Sequence, residues 1–417
     1  MPIYKLPELV AHARANSSFY GRLYTDLGRA PGRLADLPVV DHERFWAANT
    51  LTDNQVLTGP LSNGLVFRSG GTTGTPKFAV YTHEEWRTFT AAFGRGIAAA
   101  GVRTGDRVAN LFYAGDLYAS FSFVSRSLEQ AAPAVLELQL GGRLPVAALA
   151  SPITDFAVTV LAGLPTTVLA LAEHLVMAGR TLPHVRLILF GGELFFADQQ
   201  PLVAAAFPNA VIGSLGYASV DAGLLGCPTG GEDTRVHRVF TPETVVEILD
   251  ETTGQPITGA GQPGKIVLTN LTRRLLPILR YPVGDRAEWV DPDAGLFRLL
   301  GRSEEGARVG PVALQLTELQ EVVAAADHDG RISGVQVVLR HLAGRDQLVL
   351  RLVAGGPGLD TLAEAVRKQL DADRPLFADQ VATDAIHPLA VEWIGASELA
   401  VNPRTGKQLR LVDERTA

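Results

Sequence analysis

A single cysteine, Cys227, among 417 residues leaves no partner for an intramolecular disulfide and no thiolate set for a structural zinc or an iron–sulfur cluster. Long runs of one charge are also missing. The 37 Lys and Arg are interspersed with 44 Asp and Glu for a net charge of -7, which argues against an extended nucleic-acid or anionic-membrane footprint. The opening residues, with Lys5, Glu8, His12 and Arg14, lack the basic-then-apolar order of an export signal. A cytoplasmic location is therefore expected, and the Asn16-Ser17-Ser18 sequon is expected to be chance. No uncharged apolar stretch is built to span a bilayer: Phe156 to Ala172 is interrupted by Gly163 and Pro165 and flanked by Asp155 and Glu173. No repeat or low-complexity tract is visible, which makes solenoids and propellers poor candidates. The marks of common hydrolases are missing too: His83-Glu84 has no second histidine at zinc-protease spacing, and there is no Gly-x-Ser-x-Gly elbow. The nine histidines show no ligand spacing.

What is present suits a core-forming chain of two or three folding units, with 47% hydrophobic and 19% charged residues. Phe156 to Leu161 reads as a β-branched core strand, Pro165-Thr166-Thr167 as a helix start, and Val185 to Phe190 as a second strand ending at Gly191-Gly192. Short apolar strands alternating with helices predict largely parallel sheets covered on both faces. From about Val245 the texture becomes that of a mainly antiparallel subdomain, with strands at 244–250 and 264–269. After Gly301 it changes again: a helix over 317–326, a hairpin of 335–340 with 347–352, and a helix over 359–370. The expected fold is α/β. A large N-terminal domain, residues 1–300, combines mixed α/β sheets with a β-rich subdomain, and a small α+β domain follows at 301–417.

The densest chemical signal is Ser69-Gly70-Gly71-Thr72-Thr73-Gly74-Thr75-Pro76-Lys77, in which three glycines and four hydroxyl residues occupy the first seven positions. Glycines admit positive φ and close backbone approach, so several N–H groups can converge on one anion; the hydroxyls add donors and Lys77 adds charge. The Walker order, Gly-Lys followed directly by Ser or Thr, is not the one found here. A different phosphate loop is implied.

This loop resembles that of the adenylate-forming superfamily of acyl- and aryl-CoA synthetases, whose signature ends Thr-Gly-x-Pro-Lys. Further blocks follow in the family's order. Gly191-Gly192-Glu193-Leu194 resembles the adenine-side segment, Gly216-Tyr217-Ala218-Ser219-Val220-Asp221 the aromatic-to-acid segment, and Arg280-Tyr281-Pro282-Val283-Gly284-Asp285 the ribose block. Gly301-Arg302-Ser303-Glu304-Glu305 resembles the hinge, and Asn402 to Lys407 the tail with the catalytic lysine. The compact length, residues 9–20 and Pro277 to Tyr281 are similar to the phenylacetate-CoA ligase branch. Many of its members carry a cysteine and histidine metal cluster, which one cysteine does not reproduce, so no structural zinc is expected.

The resemblance implies ATP-dependent adenylation of a small aromatic acid with Mg2+, followed by transfer to CoA. A carrier-protein thiol is left open as the acceptor. The loop from Ser69 to Lys77 would grip the leaving phosphates, and Asp221, one methylene shorter than the usual Glu, would organise the metal. Asp285 would accept the ribose hydroxyls, with Tyr217, Ala218, Ser219, Gly191, Gly192 and Glu193 around the adenine and Arg302 at the domain junction. Lys407 would act on the transition state from a mobile C-terminal domain that turns about Glu304. From the residues themselves, Phe112, Tyr113, Gly115 and Asp116 are candidates for an aryl wall, with a packed turn as the equal alternative. Some relatives serve secondary metabolism. Two other readings stay open: a diazotase that adenylates nitrite for attack by an aryl amine, and a nucleotide-binding protein without turnover.

Overall fold

The computed structural model describes residues 3–27, 33–68, 78–193, 195, 199–302, 306–310, 312–343, 345–403 and 405–415, and the side chains of all of these except Arg302, Arg308 and Ala313. Ser69 to Lys77 and Glu304 lie outside the described residues.

One layer is a parallel sheet of five strands, in the spatial order Leu136–Gln139, Arg107–Asn110, Val160–Gly163, Leu187–Phe190 and Val211–Ser214. Val160–Gly163 and Leu187–Phe190 are buried at every residue, as strands covered on both faces must be. The strand expected over 156–161 begins later because Phe156 is exposed and Ala157 turns with φ 44°. The helix predicted at Pro165 is there, Pro165–Met177, with proline in the first turn where its missing N–H is no loss.

The second layer is a seven-stranded antiparallel sheet, ordered Thr244–Leu249, Pro263–Asn270, Ile278–Asp291, Leu296–Arg302, Val236–Val239, Gly223–Pro228 and Tyr217–Ser219. It therefore starts well before residue 245. Its first strands are short and broken by glycine at Gly216 and Gly223, so no alternation marks them in the sequence. The helix His83–Ala99 is packed between the layers, and its start is doubly fixed. Thr82 and Glu85 form a capping box, while the other Glu85 oxygen accepts the Arg274 and Leu275 amides at 2.7 and 2.9 Å.

A hairpin of Gly64–Arg68 with Phe78–Thr82 brings Arg68 opposite Phe78, so both ends of the glycine-rich segment are anchored side by side. Residues from Ala307 to Leu389 form their own apolar cluster. That C-terminal unit is a four-stranded sheet, His387–Trp393, Arg345–Ala354, Ile332–Leu342 and Leu411–Asp413, packed on helices Leu316–Ala326 and Leu359–Asp373.

Candidate active site

Every strand of the parallel sheet ends at the same rim, and several of the described candidates, Phe112, Tyr113, Gly191 to Glu193 and Tyr217, follow those strand ends, as is usual for open α/β sheets. Arg107–Asn110 leads into Leu111 to Tyr118, Leu187–Phe190 into Gly191 to Glu193, and Val211–Ser214 into Leu215 to Tyr217. The second sheet completes one side. Asp285 lies opposite Arg302 in the antiparallel register, and the Tyr217 hydroxyl donates to Asp285 Oδ2. A ring that can lie against a base is thus tied to a carboxylate that can accept two hydroxyls.

Below them, Asp221 Oδ2 accepts the Tyr281 hydroxyl at 3.0 Å and Oδ1 accepts the Ala222 amide at 3.1 Å. Trp46 Nε1 donates to the same Tyr281 oxygen at 2.8 Å. Burial, then the Asp221 charge, pushes the Tyr281 phenol well above its usual range, so it remains a donor. Ser219 Oγ accepts the Ala222 amide at 3.1 Å and shapes the turn, and Ala218 pairs with Leu224.

The opposite side comes from the C-terminal unit. Lys407 lies over Gly192: a methyl group on that glycine would sit 3.1 Å from Lys407 Cε and 3.4 Å from Nζ. The preceding Gly406, at φ +68°, abuts Tyr113 so closely that a Cβ would fall 1.8 Å from the ring's Cζ. Glu193 accepts Thr166 N–H at 3.1 Å, Thr166 Oγ1–H at 2.7 Å and the Gln408 amide. Burial pushes its carboxyl up, opposed by those donors and by Lys407.

The aryl-wall candidates separate. Phe112 is buried, with Cζ 3.6 Å from the Cβ position of Gly191, and Tyr113 stands beside it. Gly115 and Asp116 face outward instead. Asp116, at φ 49°, is an exposed acid paired with Arg68, whose N–H also donates to Leu117 O at 2.9 Å. Its role in the fold is to tether the strand that enters the glycine-rich segment.

A family model for AMP-binding enzymes matches residues 54–271, more than half of the chain. The chain is an adenylate-forming, AMP-binding enzyme. It belongs with the phenylacetate-CoA ligase-like branch. It is 26% identical over 331 residues to the phenylacetate-coenzyme A ligase of Pseudomonas putida, covering 75% of this chain and 72% of that one. Against the Thermus thermophilus phenylacetate-coenzyme A ligase it is 24% identical over 397 residues, covering 90% and 86%. Among solved structures, 2-hydroxyisobutyryl-CoA ligase in its postadenylation state matches with TM-score 0.75 at 18% identity, covering 99% of this chain and 88% of that one. The same ligase in its thioesterification state gives 0.58. In overall shape the chain is nearer to the first.

Two residues of this adenylate-forming enzyme carried no sequence signal. Arg273, fully buried, donates to Asp221 O and to Val80 O at 2.8 Å, with its guanidinium 4.0 Å above the Tyr81 ring. It joins the acid's turn to the strand leaving the glycine-rich segment. His237 is also buried, and its hydrogen bonds fix its tautomer. Nδ1 is 2.9 Å from Arg235 O, which only accepts, so Nδ1 carries the proton. Nε2 then accepts from Ser214 Oγ at 2.9 Å, and that oxygen accepts the Gly216 amide at 3.1 Å. The chain of bonds steadies the backbone that presents Tyr217.

Among the described residues no cluster of three or more His, Cys, Asp or Glu side chains could cage a metal ion. Asp221 nevertheless retains acceptor capacity beyond its two bonds, and a single carboxylate fits the way Mg2+ is shared with nucleotide phosphates. Two surface cavities, of about 270 and 350 Å3, are lined by other residues, including His12 with Arg274 and Arg95 with Cys227. No helix among the described residues is long and apolar enough to cross a membrane.

Proposed function

We propose that this ATP-dependent ligase activates an aromatic carboxylic acid and passes the acyl group to CoA. The observation that carries the reading is Lys407, seated over Gly192 at the rim of the parallel sheet, within the same site as the Tyr217–Asp285 pair. One substrate carboxylate oxygen attacks the α-phosphorus of ATP, the bond to the bridging β-phosphate oxygen breaks, and pyrophosphate leaves. Two anions must meet for this to happen, so positioned positive charge is what the site must supply. Lys407 meets the charge that grows on the α-phosphate oxygens, and Asp285 and Tyr217 hold ribose and adenine. Ser69 to Lys77 receive the β- and γ-phosphates. Asp221 would hold Mg2+, which supplies further charge neutralisation when bound with ATP.

In the second step the CoA sulfur attacks the acyl carbonyl, AMP departs, and the thiol proton goes to solvent. We place the pivot between the two steps near residue 301, with Glu304 and Arg302 at the junction. An aromatic acid is supported by the buried Phe112 ring beside Tyr113 and by the names of the phenylacetate-CoA ligases. The test is pyrophosphate release from ATP against a panel of aryl acids led by phenylacetate, with and without CoA. Release with an aryl acid alone and thioester only with CoA support the reading. Release that requires nitrite and an aryl amine replaces it with a diazotase, and no release with any acceptor replaces it with a binding protein.

A further inference from the structure

The adenine-side block carries a carboxylate whose hydrogen bonds, among the described residues, run to the start of a helix and to the segment that follows Lys407. Glu193 Oε2 takes both donors of Thr166, at the start of the helix Pro165–Met177, and Oε1 takes the backbone amide of Gln408. Gln408 directly follows Lys407, so this bond fixes the main chain from which the lysine reaches out. Two neighbouring contacts seat the same segment. The Tyr113 ring lies between two glycines, Gly142 and Gly406, where a Cβ would come within 2.4 Å and 1.8 Å of ring carbons. Arg143 Nη2 donates to Pro403 O at 3.2 Å. Pro403, Gly406 and Gln408 thus rest on Arg143, Tyr113 and Glu193, while Gly192 underlies the lysine itself.

We propose that Glu193, backed by Tyr113, is a clasp between the two parts of the chain that seats the Lys407 segment for adenylation and releases it before the acyl group moves on. Glu193 is then a positioning residue acting through Lys407 and contributes nothing to adenine recognition. The clasp is suited to opening. Held closed, Glu193 is partly buried, and burial opposes its charge while Thr166, Gln408 and Lys407 favour it. Departure of the segment returns water to the carboxylate, so the loss of the Gln408 bond is largely offset by hydration. Thr166 stays behind and keeps the carboxylate aimed for the next closure. What Lys407 does for the chemistry rests on the proposed function; the clasp as a contact does not.

The test uses the full-length protein with Glu193→Ala and Glu193→Gln. Without any substrate, hydrogen exchange of a peptide spanning residues 401–411 is expected to quicken about tenfold in E193A and less in E193Q, with the strand Leu187–Phe190 as protected as in wild type. With ATP and phenylacetate, E193A is expected to lower kcat for pyrophosphate release about 30-fold or more while KM for ATP stays within about threefold. CoA-thioester formation from supplied phenylacetyl-adenylate is expected to stay within about threefold of wild type, and E193Q, which keeps one acceptor, to recover part of the first step. Unchanged exchange at 401–411 overturns the clasp. So does a raised KM for ATP with kcat intact, which would mark a nucleotide ligand, or an equal fall in both half-reactions. If wild type activates no acid, the proposed function fails while the exchange measurement still decides the clasp.

Discussion

Replacing Gly406 by alanine adds one methyl group at the point where the C-terminal unit meets Tyr113. At φ +68° an alanine costs about 1–2 kcal/mol relative to glycine before any contact is considered. The contact is worse. The new carbon would lie 1.8, 2.1 and 2.2 Å from Tyr113 Cζ, Cε2 and Cε1, where ordinary carbon contacts fall at about 3.5–4.0 Å. Tyr113 has nowhere to retreat, because the Gly142 backbone stands so close that a Cβ there would lie 2.4 Å from Cε2. The segment must therefore back away by roughly 1.5–2 Å and take Lys407 with it, and misplacing a catalytic group by about 1 Å lowers rates on the order of 100-fold. The expected result for Gly406→Ala, in initial rates of pyrophosphate release with phenylacetate and saturating ATP, is a kcat about 100-fold lower with KM for ATP within about threefold. Adding Tyr113→Ala should restore part of the loss, with a coupling of at least about 1 kcal/mol between the two positions. A Gly406→Ala enzyme within threefold of wild-type kcat, or strict additivity of the two changes, would refute the docking geometry.

Asp285→Ala removes the proposed ribose acceptor, and the loss of hydrogen bonds to a charged group, about 2 kcal/mol or more, should raise KM for ATP roughly 30-fold; an unchanged value would remove Asp285 from the proposed nucleotide site. His237 gives a pH dependence. Burial lowers its pKa from 6.5 to about 4, opposed by the Arg235 carbonyl and Asp233, so the folded protein holds it neutral while the unfolded chain binds a proton. Its contribution to stability is therefore complete above pH 6.5 and is lost as pH falls toward 4, amounting to about 2 kcal/mol between pH 7 and pH 5. Urea titrations of wild type and His237→Leu should diverge by that amount in their pH dependence, and parallel curves would show that His237 does not titrate as described.

Much of the fold was legible because its signals are local. Val160–Gly163 and Leu187–Phe190 are apolar throughout, Pro165 marks a helix start, and the hairpin of Ile332–Leu342 with Arg345–Ala354 carries a short β-branched or aliphatic run on each strand. The candidate site was legible as blocks, since Gly191-Gly192, Tyr217, Asp285 and Lys407 each sit in a short string of characteristic residues. What those strings do not carry is direction. Glu193 belongs to an adenine-side string, yet its donors are 27 and 215 positions away, and only the folded chain brings them together. Asp116 reads equally well as a pocket acid or a turn acid until its left-handed backbone and exposure decide for the turn. His237 and Arg273 stand in no motif at all. Their work is to brace the backbone behind Tyr217 and Asp221, through partners far from them in sequence.

Under the proposed function, Lys407 acts where ATP is cleaved between its α- and β-phosphates. The direct measurement is the identity of the nucleotide product in reactions of ATP and phenylacetate with wild type and Lys407→Ala. Wild type is expected to give AMP and pyrophosphate, and the variant to keep intact ATP binding with AMP formation lowered by about 100-fold or more. ADP and phosphate as the products, or AMP formed equally fast by Lys407→Ala, would contradict it.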